Sequence, residues 1–219
     1  MFWSGGDWWW RKRDPSEASV PEELAAQREA DCTARWVRYF RCLDTNGDRR
    51  VDFHDHVAAS ARLASTFDLH GLGGHYKKRL RRSQHLWLLG VGQDVGAVDE
   101  RQFCANLATQ AATDPRGFVR CLDAMAVALA EVADQDGDGR VENTEFRALL
   151  DAGFGVPEAE ADLAFEHLDL DGSGYLEHGE IRQAVRDYFT PGPRERPGNW
   201  LFGPPPWLRP AERERAGAD

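Results

Sequence analysis

The chain has 219 residues, of which 42% are hydrophobic and 11% aromatic, enough to bury one large core or two small ones. Its 37 acidic residues outnumber the 27 basic ones and give a net charge of −10, which argues against general nucleic-acid binding because that role usually requires a basic surface. It contains neither an apolar run of 18 residues nor a secretory signal pattern, so we expect no membrane span and a cytoplasmic location.

The N-terminal residues 1–20 are predicted to be a disordered or irregular extension. Their WWWRKR run at 8–13 has the aromatic and basic character of an interfacial anchor, but three consecutive tryptophans cannot share one helix face. Membrane contact is therefore not expected. The first predicted helix runs from about Glu22 to Leu43. One face of this helix collects Leu24, Cys32, Trp36 and Phe40.

Four cysteines lie on separated segments without a C-x-x-C spacing, which excludes a zinc ribbon and a redox motif. We interpret them as reduced core thiols because free cysteine is usually buried. They are Cys32, Cys42, Cys104 and Cys121. His54 and His56 lack a third ligand for a transition metal, so we interpret them as loop residues without a metal role. No serine, cysteine or histidine has a recognisable catalytic partner, so we expect a protein that is not an enzyme.

Thirteen of the 37 acidic residues fall in three windows, 44–55, 134–145 and 169–180. Carboxylates crowded into short loops repel one another, so a cation is expected between them. Residues 134–145 (DQDGDGRVENTE) and 169–180 (DLDGSGYLEHGE) match D-x-[DN]-x-[DNS]-G-x-hydrophobic-x-x-x-E, the calcium loop of an EF-hand.

The first of these windows, 44–55 (DTNGDRRVDFHD), is a weaker copy of that loop. Arg49 replaces the glycine of position 6, where a positive φ is needed, and Asp55 replaces the longer glutamate of position 12. Its candidate ligands are Asp44, Asn46, Asp48, the carbonyl of Arg50, and Asp55. This set predicts weaker calcium binding, with Mg²⁺ as the alternative ion at this first site.

A fourth copy is found only from the period of the repeat. With Gly96 at position 6 and Val98 at position 8, residues 91–102 (VGQDVGAVDERQ) form a loop with Val91, Gln93, Val95 and Gln102 at the ligand positions. We expect no ion there, but we expect its hairpin to pair with the first loop. The GLGGH turn at 71–75 is too far from any strand to bind phosphate, and KKRLRR at 77–82 is interpreted as a solvated helix face.

The two well-matched loops supply oxygen donors at positions 1, 3, 5 and 12 and a carbonyl at position 7. In the third loop the candidate ligands are Asp134, Asp136, Asp138, the carbonyl of Arg140, and Glu145. In the fourth loop they are Asp169, Asp171, Ser173, the carbonyl of Tyr175, and Glu180. The glycines Gly139 and Gly174 make the turn, and the apolar residues of position 8 should pair the loops through a short β-bridge.

Together these units predict an all-α protein in which four helix-loop-helix units form two EF-hand pairs packed into one compact globule. The first pair is assigned to residues 21–110 and the second to 111–190. Residues 191–219 form a tail rich in proline and tryptophan, which we expect to fill an apolar groove as an internal ligand. The tail residues expected there are Trp200, Leu201, Phe202, Trp207 and Leu208.

Four EF-hands with a degenerate second copy, long separations between the first three loops and a PGNWLFG tail at 197–203 resemble the bacterial calerythrin group of the sarcoplasmic calcium-binding proteins. The resemblance covers roughly residues 24–203. It implies a cytosolic calcium buffer or carrier, with calcium ions as its partners. We expect a monomer that binds three calcium ions.

Two other classes on the same fold remain open. A sensor would expose an apolar groove to a protein target when its tail is displaced, but sensors use methionine-rich surfaces and this chain has only two methionines. A coelenterazine photoprotein would need a cavity lined by histidine, tryptophan and tyrosine, which the sequence does not locate. The sequence therefore favours the buffer.

Overall fold

The computed structural model describes residues 21–66 and 96–208, which form seven α-helices and two short antiparallel ribbons, an all-α fold as predicted. The helices are α1 (Glu22–Leu43), α2 (Phe53–Thr66), α3 (Glu100–Thr113), α4 (Pro115–Ala133), α5 (Asn143–Phe154), α6 (Glu158–Leu168) and α7 (His178–Phe189). The strands are β1 (Arg50–Val51), β2 (Val98–Asp99), β3 (Val141–Glu142) and β4 (Tyr175–Leu176). The predictions for residues 1–20, for GLGGH and KKRLRR, for residues 91–95 and for residues 209–219 lie outside the described residues.

Three helices end at the aspartate that begins a predicted loop. The backbone N–H groups of Asp44, Asp134 and Asp169 donate to carbonyls four residues earlier, at 2.9–3.0 Å, and their backbones then leave the helical conformation. The final apolar side chain of each helix, at Leu43 and Leu168 for example, is buried in the core. The core therefore fixes where each loop begins.

Short ribbons join the loops in pairs. Val51 of β1 lies opposite Val98 of β2, and Val141 of β3 lies opposite Leu176 of β4. All four side chains are at most 1% exposed. Side chains alternate between the two faces of a strand, so burial of position 8 turns positions 7 and 9 away from the core. The pairing predicted from the apolar residues at position 8 is confirmed.

Arginine side chains take part in two of the helix contacts between the N-terminal and C-terminal halves of the chain. Helix α2 packs against α5, where Arg62 donates to the carbonyl of Ala152 at 2.9 Å. Helix α1 packs against α7, where the fully buried Arg35 donates to the carbonyls of Tyr188 (2.7 Å) and Thr190 (2.8 Å). These carbonyls end α7, so Arg35 supplies donors to groups that the helix itself leaves unbonded.

A cluster of aromatic rings occupies the centre of the core. Tyr39 of α1 lies 5.1 Å from Phe189 of α7 and 5.0 Å from Phe202 of the tail, measured between ring centroids. Phe202 also meets Phe154 at 4.9 Å and Tyr188 at 5.0 Å. Aromatic pairs at such distances add to the stabilisation from burial. One continuous core therefore includes residues from both halves of the chain and from the tail.

The tail folds back onto the helices, as expected. It makes a 3₁₀ turn at Pro197–Trp200 that packs on α6 and α7. Leu201 is 1% exposed and Phe202 is fully buried, whereas Trp207 and Leu208 are half-buried. Arg38 of α1 holds this segment by donating to the Phe202 carbonyl (2.6 Å) and to Glu160 of α6 (2.5 Å).

Three sequence-based expectations need correction. Cys32 is buried, and burial raises its pKa to about 12, but Cys42 and Cys104 are only half-buried and Cys121 is exposed. Leu24 is 45% exposed, because the face of α1 that meets the core passes through Ala25. His56 is buried in α2 instead of lying on the loop surface, and this burial lowers its pKa.

Within residues 21–66 and 96–208, no helix combines the length and the apolarity needed to span a membrane.

Candidate metal centre

The same hydrogen-bond arrangement occurs in the loops 44–55, 134–145 and 169–180. At position 1, Asp44, Asp134 and Asp169 each accept two bonds of 2.7–3.1 Å from backbone N–H groups of positions 4 to 6. These bonds curl the backbone around the carboxylate. The first aspartate of each loop therefore sets the loop's shape.

Positions 3 and 5 extend this arrangement. Asn46, Asp136 and Asp171 at position 3 each accept from the backbone N–H of position 5, at 2.8–3.1 Å. Asp48 and Asp138 at position 5 accept from the N–H of position 7 at 2.8 Å. Oxygen atoms of alternate residues are thereby held on the inside of the turn.

Position 12 closes each loop. Asp55, Glu145 and Glu180 accept with one oxygen from the N–H of position 2 (2.8–3.1 Å) and with the other from the N–H of position 9 (3.0 Å). The carboxylate is thus fixed between the entrance of the loop and the first turn of the following helix. The shorter Asp55 makes the same two bonds.

Carboxylate oxygens converge in the third and fourth loops. Those of Asp134, Asp136 and Asp138 lie within 4.8 Å of one another, and so do those of Asp169, Asp171 and Glu180. Three like charges at such distances repel unless a cation lies between them. In the first loop, Asn46 stands where the other two loops have an aspartate, so the neutral amide reduces this repulsion.

The turn at position 6 requires a positive φ. Gly139 and Gly174 adopt φ of 86° and 84°, which costs glycine little. Arg49 adopts φ of 66°, as predicted for the first loop, and it is the one non-glycine residue with positive φ in the described ranges. A residue with a Cβ loses about 1 kcal/mol or more in this conformation.

Two contacts of the first loop were missed by the sequence analysis. The hydroxyl of Thr45 donates to Asp55 at 2.9 Å, so Asp55, which is 1% exposed, accepts three bonds in all. The backbone N–H of His54 donates to Asp52 at 2.7 Å and lowers the pKa of that carboxyl. A hydroxyl residue at position 2 was the signal for the first contact.

The residues at position 7 also interact across the ribbons, which the sequence analysis did not foresee. In the second pair the Arg140 guanidinium lies 4.3 Å from the centroid of the Tyr175 ring. In the first pair the Arg50 guanidinium donates to the carbonyl of Ala97 at 2.8 Å. These side chains link the two loops of each pair at the position where an EF-hand uses its backbone carbonyl as a ligand.

The donors gathered in these loops are carboxylate, amide and hydroxyl oxygens. Oxygen donors of this kind suit hard divalent cations such as calcium and magnesium, whereas zinc and copper sites use sulfur or imidazole nitrogen. The histidine of the first loop, His54, is exposed, and its ring lies beside the Asp52 carboxylate. The chemistry of the donor set therefore fits calcium or magnesium.

Comparisons with known sequences agree with this geometry. The family model described as the EF hand matches residues 131–150, which contain the third loop. Calerythrin from Saccharopolyspora erythraea is 35% identical over 102 residues. This match covers 45% of the present chain and 55% of calerythrin, so the chain spans about half the length of this relative.

Solved structures share the fold over a longer stretch. A calcium-binding protein from Streptomyces coelicolor, described in connection with prokaryotic calcium-mediated regulation, is 26% identical with a TM-score of 0.61 over 76% of this chain and 99% of its own. The coelenterazine-binding protein of Renilla muelleri is 19% identical with a TM-score of 0.63, over 84% of this chain and 99% of its own, and this likeness concerns the fold alone.

Proposed function

We propose that this chain, a calerythrin-like EF-hand protein, acts as a calcium buffer that binds three calcium ions. The observation that carries the proposal is the common arrangement of inward-held oxygens in the loops 44–55, 134–145 and 169–180. A buffer needs ion sites that form without opening the core, and such loops lie outside the core with their position-8 residues inside it.

The third and fourth loops are proposed as the tight sites. Each offers carboxylates from the first and last positions and an uninterrupted set of oxygen donors between them. The proposed ligands of the third loop are Asp134, Asp136, Asp138, the Arg140 carbonyl and Glu145. Those of the fourth loop are Asp169, Asp171, Ser173, the Tyr175 carbonyl and Glu180. We expect dissociation constants on the order of 10⁻⁹ to 10⁻⁶ M.

The first loop is proposed as the weakest site. Its proposed ligands are Asp44, Asn46, Asp48, the Arg50 carbonyl and Asp55. The strained Arg49, the neutral Asn46 and the short Asp55 all reduce its attraction for calcium. Magnesium, which is smaller and needs fewer carboxylate oxygens, is the alternative ion there. We propose that the loop 91–102 binds no ion.

The closed core supports a buffer. The tail residues Leu201 and Phe202 occupy apolar space that a sensor would offer to its target, and the chain has only two methionines for such a surface. All four cysteines are free thiols, which suits a reducing compartment, so the proposed location is the cytoplasm.

A sensor is the second candidate, favoured by the way in which the tail is held. Two polar contacts hold the tail against α1. Arg194 of the tail pairs with Asp31 of α1 at 2.7 Å, and Arg38 of α1 donates to the Phe202 carbonyl. A partner that competed for these contacts would uncover the aromatic cluster. The calcium-mediated regulation named for the Streptomyces coelicolor relative is consistent with this candidate.

Calorimetric calcium titration with a hydrophobic dye in parallel tests the proposal. We expect three ions at saturation, two of them retained in millimolar magnesium, and no increase of dye binding with calcium. Fewer than two tight ions would contradict the assignment of the third and fourth loops. A rise of dye fluorescence upon calcium binding would favour the sensor over the buffer.

A further inference from the structure

The 3₁₀ turn of the tail lies against both helices that flank the fourth loop. Helix α6 ends where Asp169 begins this loop, and helix α7 begins inside the loop at His178 and carries Glu180. The turn at Pro197–Trp200 packs on α6 and on α7. These two helices are therefore joined twice, once by the loop and once by the tail.

Trp200 makes the contact with α6. Its indole ring stacks on the ring of His167, with a centroid distance of 3.6 Å and an interplanar angle of 15°. The His167 ring is itself held in place, because its Nδ1–H donates to the carbonyl of Leu163 at 2.8 Å. His167 comes two residues before Asp169, so the stack lies on the last turn of the helix that leads into the fourth loop.

Gly198 makes the contact with α7, at a distance that only glycine permits. A Cβ atom on this residue would lie 2.6 Å from the Ala184 carbonyl oxygen and 2.8 Å from the Ala184 Cα, closer than side-chain carbons approach a backbone. Arg196, just before the turn, pairs with Asp187 of α7 at 3.7 Å. The turn therefore meets α7 backbone to backbone, and a charge pair lies beside this contact.

The turn keeps its own shape through hydrogen bonds. The backbone N–H of Leu201 donates to the carbonyl of Gly198 at 3.2 Å. The side-chain amide of Asn199, which is 1% exposed, donates to the carbonyl of Pro193 at 3.0 Å. The contact at Trp200 is thereby fixed relative to the contact at Gly198.

We propose that the turn Pro197–Trp200 positions the helices of the fourth ion site, with Gly198 and Trp200 as the positioning residues. The fourth loop binds an ion only when Asp169, after α6, and Glu180, in α7, approach the ion together, so the angle between these helices affects its affinity. A tail seated on both helices holds that angle before the ion arrives. By linkage, an ion in this loop strengthens the seating of the tail by the same factor. The inference rests on the proposed function of the fourth loop.

Calcium affinity measured at one site at a time tests the positioning role. Calorimetry in a Glu145→Gln background leaves the fourth loop as the tight site. There we expect Trp200→Ala to weaken calcium binding about fivefold, and Trp200→Phe, which keeps a ring against His167, to restore most of the affinity. The matched control is Trp207→Ala, which should leave this affinity unchanged because the Trp207 ring lies against Arg35 of α1.

A merely structural role predicts a different result. A general loss of stability would weaken the third loop, measured in a Glu180→Gln background, as much as the fourth. The proposal is overturned if Trp200→Ala weakens both loops equally or weakens neither. A double-mutant cycle with His167→Ala isolates the stack, because the double variant should bind calcium no more weakly than either single variant. Additive losses would show that the two rings act independently, against the role given to the stack.

Amide hydrogen exchange tests the reciprocal effect on the tail. The N–H groups of Leu201 and Gly203 donate to carbonyls within the turn. Calcium should slow their exchange more in Glu145→Gln, which keeps the fourth site, than in Glu180→Gln, which keeps the third. Equal slowing in the two variants would contradict the linkage, and faster exchange with calcium would overturn the proposal in favour of a sensor that releases its tail.

Failure of the positioning role is distinguishable from failure of the proposed function. If Glu145→Gln retains no tight calcium ion, the fourth loop is not a tight site and the proposed function fails there together with the positioning role. If Glu145→Gln binds one tight ion and Trp200→Ala does not change its affinity, the proposed function stands and the positioning role alone is wrong.

Discussion

The two loop pairs have the same frame and different donors. In both pairs a two-residue antiparallel ribbon joins the loops through buried residues at position 8, and position 12 reaches back to the N–H of position 9. The second pair ends both loops with glutamate. The first pair ends one loop with Asp55 and the other with Gln102.

The first loop of each pair also differs in charge. Residues 44–55 contain four acidic residues and two arginines, whereas residues 134–145 contain five acidic residues and one arginine. The ribbon of the first pair nevertheless has the same register as that of the second. The frame of an EF-hand pair is therefore maintained by apolar burial and backbone bonds, and it tolerates loss of the donors that attract the ion.

The largest effect is expected from the glutamates of the second pair. Glu145→Gln and Glu180→Gln should each remove one tight ion, because the lost carboxylate supplies two ligand oxygens and a full charge. At millimolar calcium, a site of ~10⁻⁷ M affinity stabilises the fold by about 5.5 kcal/mol, which each variant should lose. Calorimetry and thermal unfolding measure the two effects.

The exposed Glu166 of α6 provides the matched control, since Glu166→Gln removes the same charge outside the loops. If both loop variants kept the calcium stoichiometry of the parent, the assignment of the third and fourth loops as ion sites would be wrong.

The next effect tests whether the pairs unfold as one unit. Phe202 is fully buried and touches rings from both halves of the chain, so Phe202→Ala should lower the free energy of unfolding by about 3–5 kcal/mol. Phe53 is 68% exposed, and Phe53→Ala should change it by less than about 0.5 kcal/mol. Chemical denaturation followed by a separate probe in each half should give two transitions whose midpoints shift together in Phe202→Ala. Transitions that shift separately would show that the tail does not couple the pairs.

A smaller effect is expected when the first loop is made like the others. Arg49→Gly should relieve the positive φ and strengthen the first site about fivefold, from roughly 1 kcal/mol of released strain. Asp55→Glu should strengthen calcium binding there relative to magnesium, because the longer side chain can offer two oxygens. The reverse change, Gly139→Arg, should weaken calcium binding at the third site. Unchanged calcium affinity in both Arg49→Gly and Gly139→Arg would contradict the role given to position 6.

The smallest effect concerns the tail at acid pH. Although burial raises the pKa of Asp31, its bonds with Arg194 and Gln27 outweigh this and hold that pKa below its usual value. The stabilisation is therefore complete above the unfolded pKa of about 4 and is lost as pH falls through the lower folded value. Arg194→Gln should cost less than about 1 kcal/mol at pH 7, because Arg194 is half exposed, and the difference from the parent should shrink below pH 4. A difference independent of pH would exclude this pair as its source.

Much of the frame could be predicted from sequence because the repeat is short and local. The spacing of Asp134, Asp136, Asp138 and Glu145 defines one loop by chain geometry alone, and the helix from Glu22 to Leu43 was predicted with the bounds that the structure shows. Arg49 was predicted to adopt a positive φ for the same local reason.

Contacts between distant segments could not be predicted in this way. The exposure of Cys121 and Leu24 and the burial of His56 depend on which helix faces meet, and helical periodicity gives a face without naming its partner. The carbonyl acceptors of Arg35 lie more than 150 residues away along the chain, and no spacing rule connects them.

The amino-acid sequence by itself determined the loops, their order and the type of ion that their oxygens suit, because these properties depend on residues within twelve positions of one another. Only the tertiary structure decided where the guanidiniums of Arg50 and Arg140 lie and how Phe202 closes the core. The physical reason is that a long side chain selects among partners that only packing brings within reach: a carbonyl where the partner loop has alanine, and a ring where it has tyrosine.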